Sequence, residues 1–168
     1  MKQKSFLWQA AGFAFATLGG TLLHFLYDWT GGSGWVAAFS GIHESTWEHM
    51  KLLYWPLMVF ALFQRWFFRD VACFWSGKLA GMMTGLVLIP VLFYTYNGAF
   101  GPSPDWLNIT IFYVAAGAGF LLEWWLFRKH HPSCRGQWAA LAAMLLLGGL
   151  FVLFTFAPPQ LPLFQPPT

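Results

Sequence analysis

Five stretches of the chain stay apolar for about the twenty residues that a helix needs to cross the roughly 30 Å hydrocarbon core of a bilayer. They run approximately over 6–27, 46–68, 73–96, 106–127 and 138–157, each closed off by charge, by Pro/Gly clusters or by both. The connections between them are short. The pattern therefore predicts an all-α, polytopic membrane protein, one domain over 1–168 built as a bundle of five transmembrane helices. The polar positions inside the spans carry information of their own. Thr17, Thr21, His24 and Asp28 recur at helical spacing and share one face of the first span. Pro56 and Pro90 each remove a backbone donor and predict kinks in the second and third spans, the first of them freeing the carbonyl of Leu52. Gly77, Gly81 and Gly85 form a small-residue ridge that lets another helix approach, either within the chain or from a homo-oligomer or membrane partner. In the fourth span Glu123 lies within reach of Arg128 or Lys129. The fifth span is almost featureless and reads as a structural, lipid-exposed helix.

Two segments are too short or too irregular to cross. GGSGWVAAFSGI at 31–42 reads as a re-entrant or surface-lying turn, with Trp35 and Phe39 in the headgroup layer. The tail over 158–168 is rich in proline and favours extended backbone, either folded over the mouth of the bundle or free.

Composition agrees with the pattern: 58% of residues are hydrophobic and 9% charged, against about 25% charged in soluble domains. Charge then orients the bundle. With the N-terminus inside and five alternating spans, Lys2, Lys4, Arg65, Arg69, Lys78, Arg128, Lys129 and Arg135 all fall on the inner side, while Asp28, Glu44, Glu48 and Asp105 fall on the outer. Cytoplasmic loops carry the Lys/Arg excess, so the expected topology is N-in and C-out. The net charge of +3 is explained by these loops and is no sign of a nucleic-acid partner. His130 and His131 sit in the last basic loop and read as solvated. Cys73 and Cys134 fall near the same reducing face, so no disulfide is expected.

The remaining charge is concentrated in HESTWEHMK at 43–51. Glu44, Glu48 and Lys51 lie at i, i+4 and i+7, within a narrow helical stripe, with His49 well off it. His24 and Asp28 end the preceding span at the same membrane level, so His24, Asp28, Glu44 and Glu48 can converge as ligands of a divalent metal such as Zn, Fe or Mn. Architecture competes for the same residues. Ser45-Thr46-Trp47-Glu48 fits a capping box, and Lys51 can neutralise Glu48 or Glu44. HESTWEH is not HExxH, so a zincin helix is excluded on spacing. His49, Lys51, Tyr94, Asn97 and Asn108 are candidates to line a ligand pocket in the same layer.

The strings HFLYDW at 24–29, HESTWEHMKLLYWP at 43–56 and FTFAPPQLPLF at 154–164 resemble a family of small bacterial integral membrane proteins of unknown function. Its members share a His-containing end to the first helix, an (Asn/His)-Glu-Ser-x-Trp-Glu-His-x-Lys segment and a Pro-Pro motif after the last helix. The resemblance implies a multi-pass protein of the bacterial cytoplasmic membrane in which the 43–51 segment matters, and it implies no reaction. Asn in the place of His43 among relatives argues against His43 as an indispensable ligand. The leading functional expectation is an outward-facing polar pocket binding a cation or small polar ligand. Its enzyme version is a metal-dependent hydrolase of lipid-like substrates with Glu48 or Glu44 as base. A small transporter or proton-coupled carrier and a membrane assembly subunit are the alternatives.

Overall fold

The computed structural model describes residues 2–129, 134 and 136–166, with backbone alone for 2–4. The expectations for the side chains of Lys2 and Lys4, for His130, His131 and Arg135, and for the last two residues lie outside it. All described secondary structure is helical. The elements are α1 (Lys2–Trp29), α2 (Gly34–Ala37), α3 (Thr46–Phe67), α4 (Phe74–Phe100), α5 (Asp105–Arg128), α6 (Gln137–Phe156) and a 3-10 turn, Pro162–Phe164.

Four helices, α1, α4, α5 and α6, are long and apolar enough to cross a membrane. α3 has 22 residues, about 33 Å of helix, but Glu48, Lys51, Gln64 and Arg65 make it less apolar. Its position explains how it carries them. α3 packs against α1, α4, α5 and α6, and Glu48, Lys51 and Gln64 are all buried in the bundle rather than turned to the surroundings.

Glycines set the close approaches. A Cβ on Gly20 would lie 2.9 Å from the Leu52 carbonyl oxygen, and one on Gly19 3.2 Å from the Pro56 ring. Pro56 removes the donor that the Leu52 carbonyl would otherwise meet, and α1 brings its glycines against that same stretch. Along the Gly77–Gly81–Gly85 ridge the neighbour is α5: a Cβ on Gly81 would lie 2.7 Å from the Gly119 carbonyl oxygen and one on Gly85 3.2 Å from that of Ala115. All three glycines are buried. The ridge makes contact within the chain, with α5.

Three local expectations are corrected. Glu123 pairs with Lys78 of α4, Nζ to Oε2 2.6 Å, rather than with Arg128 or Lys129, because the glycine ridge draws α4 onto α5 whereas Arg128 and Lys129 lie against Trp124 and Trp125. The Lys78 ammonium also sits 5.4–5.5 Å from the Phe60 and Phe120 rings. Cys73 and Cys134 are joined as a disulfide, against the expectation of free thiols. The α4–α5 contact that stacks Phe74 on Phe127 at 5.5 Å brings the two adjoining loops to one place. Finally, α6 is not featureless, since Thr155 is buried and hydrogen-bonded to Lys51.

The segment between α1 and α3 folds as a compact turn. Gly31 and Gly32 take positive φ (67° and 78°), a region open to glycine at no steric cost, and Trp35 is 87% exposed on α2. The proline-rich tail folds back: Phe164 is buried, with its ring 4.8 Å from Trp47 and 5.4 Å from Phe154.

Candidate metal centre

The site is built at the end of the bundle where α1 finishes and α3 begins. Ser45 is the N-cap of α3, with extended backbone and its hydroxyl accepting from the Glu48 amide at 3.3 Å. Half of the anticipated capping box therefore forms. The other half does not, because the Glu48 carboxylate turns to the Ile42 amide (3.0 Å) and to Lys51 Nζ (2.7 Å). Lys51 is fully buried and also donates to the Ala37 carbonyl (2.8 Å) and Thr155 Oγ1 (2.9 Å). One ammonium thus ties α2, α3 and α6 together, and its carboxylate partner holds the loop that leads to Glu44.

Because the helix starts at Thr46, Glu44 lies outside it and leaves the Glu44–Glu48–Lys51 stripe. Its side chain, 65% exposed, reaches across to two imidazoles instead: His24 Nε2 at 3.5 Å and His49 Nε2 at 3.4 Å. His24, Glu44 and His49 each offer a ligand atom within 4.8 Å of the others. Ligand atoms about 2.0–2.2 Å from a tetrahedral Zn stand about 3.3–3.6 Å from one another; each imidazole nitrogen is at that distance from one of the two carboxylate oxygens, His24 from Oε1 and His49 from Oε2.

The tautomer of His49 sharpens the chemistry. Its Nδ1 lies 2.9 Å from the Ser45 carbonyl oxygen. A carbonyl only accepts, so Nδ1 carries the hydrogen, and in the neutral ring Nε2 presents a lone pair. That lone pair faces a carboxylate oxygen 3.4 Å away, an arrangement that a cation shared between them, a proton or a metal ion, stabilises. A backbone acceptor behind the ring is also the usual way a metal-binding imidazole is oriented.

The framework around the cluster is well anchored. Ser40 Oγ donates to the Leu23 carbonyl and accepts from the Tyr27 amide (3.0 Å), clasping the last turns of α1 on either side of His24. Trp55 Nε1 donates to the Ala38 carbonyl at 3.2 Å.

The other candidates sit apart. Asp28 is exposed, outside the His24–Glu44–His49 group. Glu48 and Lys51 are occupied with each other. Tyr94 approaches Thr46, hydroxyl to hydroxyl 3.4 Å, at the start of α3. Asn97 accepts from the Ser103 amide (2.6 Å) and Asn108 from the Ser103 hydroxyl (2.7 Å), so both hold the α4–α5 turn. The sequence reading set His49 off the carboxylate stripe and did not name Ser40, the Ser45 carbonyl or Thr155. A usable signal was the Ser45–His49 spacing of four, which aims a helical imidazole at the cap residue's carbonyl.

A family model described as a family of unknown function, DUF6512, matches residues 1–167. The chain belongs to this family. No curated protein and no solved structure matches it. In this DUF6512 chain the cluster offers two borderline imidazoles and one hard carboxylate, a mixed donor set that suits Zn or Fe(II) better than Mg or Ca.

Proposed function

We propose that this DUF6512 chain is a five-pass membrane protein, N-in and C-out in a bacterial cytoplasmic membrane, that binds a divalent transition metal through His24, Glu44 and His49 at the outer edge of the bilayer. The observation that carries the reading is the His49 Nε2 lone pair facing the Glu44 carboxylate at 3.4 Å while Nδ1 is committed to the Ser45 carbonyl. Three protein ligands on a half-exposed site leave coordination positions for water or substrate, the pattern of catalytic rather than structural metal sites. A metal so held acidifies bound water and polarises an ester or phosphoryl oxygen, which fits a hydrolase of lipid-like substrates at the membrane surface. Glu48 is not the base in this reading, since Lys51 and the Ile42 amide occupy its carboxylate. α3 is the fifth span: its length suffices, and its charged residues face the bundle.

The test is elemental analysis of detergent-purified protein. The expected result is about one Zn, Fe or Mn per chain, lost in Glu44→Gln with the helical circular dichroism unchanged. Because protons compete for the imidazole nitrogens, affinity for added metal falls on acidification. Metal-free protein whose Glu44→Gln variant behaves like the parent in metal titration contradicts the proposal and leaves a protonated imidazole as the cation between the two groups.

A second reading, a proton-coupled carrier, draws on the two buried ion pairs, Glu48–Lys51 and Lys78–Glu123, since ionisable residues within a membrane bundle commonly mark a transport path. It expects pH-driven solute uptake in vesicles that survives Glu44→Gln.

A further inference from the structure

We infer that the end of the bundle opposite the metal centre holds a binding site for the phosphate headgroup of an anionic phospholipid. Three cations there lie over indole rings: the Arg69 guanidinium 4.6 Å from Trp66, the Arg128 guanidinium 4.6 Å from Trp124, and the Lys129 ammonium 3.3 Å from Trp125. Arg69, Arg128 and Lys129 are exposed. Among the described residues none of them has a carboxylate within ion-pair distance; the two Lys–Glu pairs belong to Lys51 and Lys78.

The cations lie at one end of the bundle although they come from two elements. Phe127 lies 6.0 Å from Phe68 and stacks on Phe74 at 5.5 Å. Arg128 and Arg69 follow Phe127 and Phe68 directly in the chain, and the Cys73–Cys134 bond joins the adjoining loops. Arg65 is held on the same rings, 5.4 Å from Phe74 and donating to the Phe68 carbonyl at 2.6 Å.

The geometry selects the ligand. A guanidinium carries five N–H donors, two of which match two oxygens of a phosphodiester, and contact with an indole does not consume them as hydrogen bonds. The indoles belong at headgroup depth, and Trp66, Phe67 and Trp125, at 70%, 55% and 49% exposure, offer apolar surface beside the cations for acyl chains. Basic clusters with this make-up at helix ends recognise anionic lipid. A zwitterionic headgroup adds a second cation to a patch already rich in them, and inorganic phosphate brings no chain for the apolar flank. The inference uses the membrane character of the helices and is independent of the metal centre.

The test is thermal unfolding of the full-length protein in mild detergent, with phosphatidylglycerol, phosphatidylcholine or inorganic phosphate added. Saturating phosphatidylglycerol is expected to raise the apparent Tm by about 5 °C, with no shift from the other two. The Arg69→Gln/Arg128→Gln variant is expected to lose that shift while keeping the parent's Tm in phosphatidylcholine. Native mass spectrometry of the unaltered protein gives a second measure, expected to retain phosphatidylglycerol adducts in preference to phosphatidylcholine. Equal response to the two lipids, a shift that persists in the variant, or a shift from phosphate alone overturns the proposal.

Discussion

His49 and Lys51 stand two positions apart on α3 and have opposite surroundings. His49 is half-exposed and meets an exposed carboxylate, where an ion pair by itself contributes little. Lys51 is 0% exposed and meets Glu48, 2% exposed, in a bundle interior. For such a pair the cost of desolvation rivals the attraction, so removing one partner hurts far more than removing both. Lys51→Met is therefore expected to cost about 3–5 kcal/mol by leaving Glu48 buried and unpaired, while Lys51→Met/Glu48→Gln recovers much of that. A double-mutant cycle by denaturant titration in detergent checks it, and equal losses in the single and double variants contradict it. The same cycle bears on the proposed metal centre, because Glu48 accepts from the Ile42 amide two residues before Glu44. If that link positions Glu44, the double variant, although folded, binds metal more weakly than the parent.

α4 and α5 make the tightest pairing among the elements, and small residues are the reason. Gly81 faces the Gly119 carbonyl and Glu123, and Gly119 faces the Gly81 carbonyl, so neither backbone has room for a side chain on the other. Between lipid-exposed helices close packing is a main source of association, since hydrocarbon surroundings supply no hydrophobic drive. Gly81→Val is expected to cost about 1–3 kcal/mol by forcing the helices apart and to lengthen the Lys78–Glu123 contact between them. Gly149→Val on α6 serves as the control, since a Cβ there meets nothing within 4 Å. Matching melting temperatures for the two variants would rule out the packing argument.

The charge distribution and the disulfide constrain the whole molecule in different directions. Basic residues collect at the end holding Arg65, Arg69, Arg128 and Lys129, the end that the proposed N-in orientation puts in the cytoplasm. The Cys73–Cys134 bond is at that same end, and a cytoplasmic thiol pair is kept reduced. The two statements agree if the sulfurs are adjacent yet reduced in the cell and bond under oxidant. Alkylation with a mass-tagged maleimide is thus expected to label both cysteines in untreated cells and neither after mild oxidation, with an N-terminal reporter reading inside. A bond already present in untreated cells, with the reporter outside, reverses the orientation.

Sequence alone determined the helical, membrane-type character of this chain and showed where its charge concentrates, because twenty-residue apolar runs and a knot of charge in HESTWEHMK are local features that survive any packing. It also brought forward His24 and Glu44, through helical spacing and shared depth. Tertiary structure alone decided the partners. The N-cap at Ser45 ended the helix one residue short of Glu44, which released that carboxylate to two imidazoles. The buried ammonium of Lys51 took Glu48, and the glycine ridge gave Glu123 to Lys78 and brought together cysteines 61 residues apart. Such outcomes depend on which helix faces meet and where a helix begins to within a single residue, and periodicity along one strand of sequence does not resolve either.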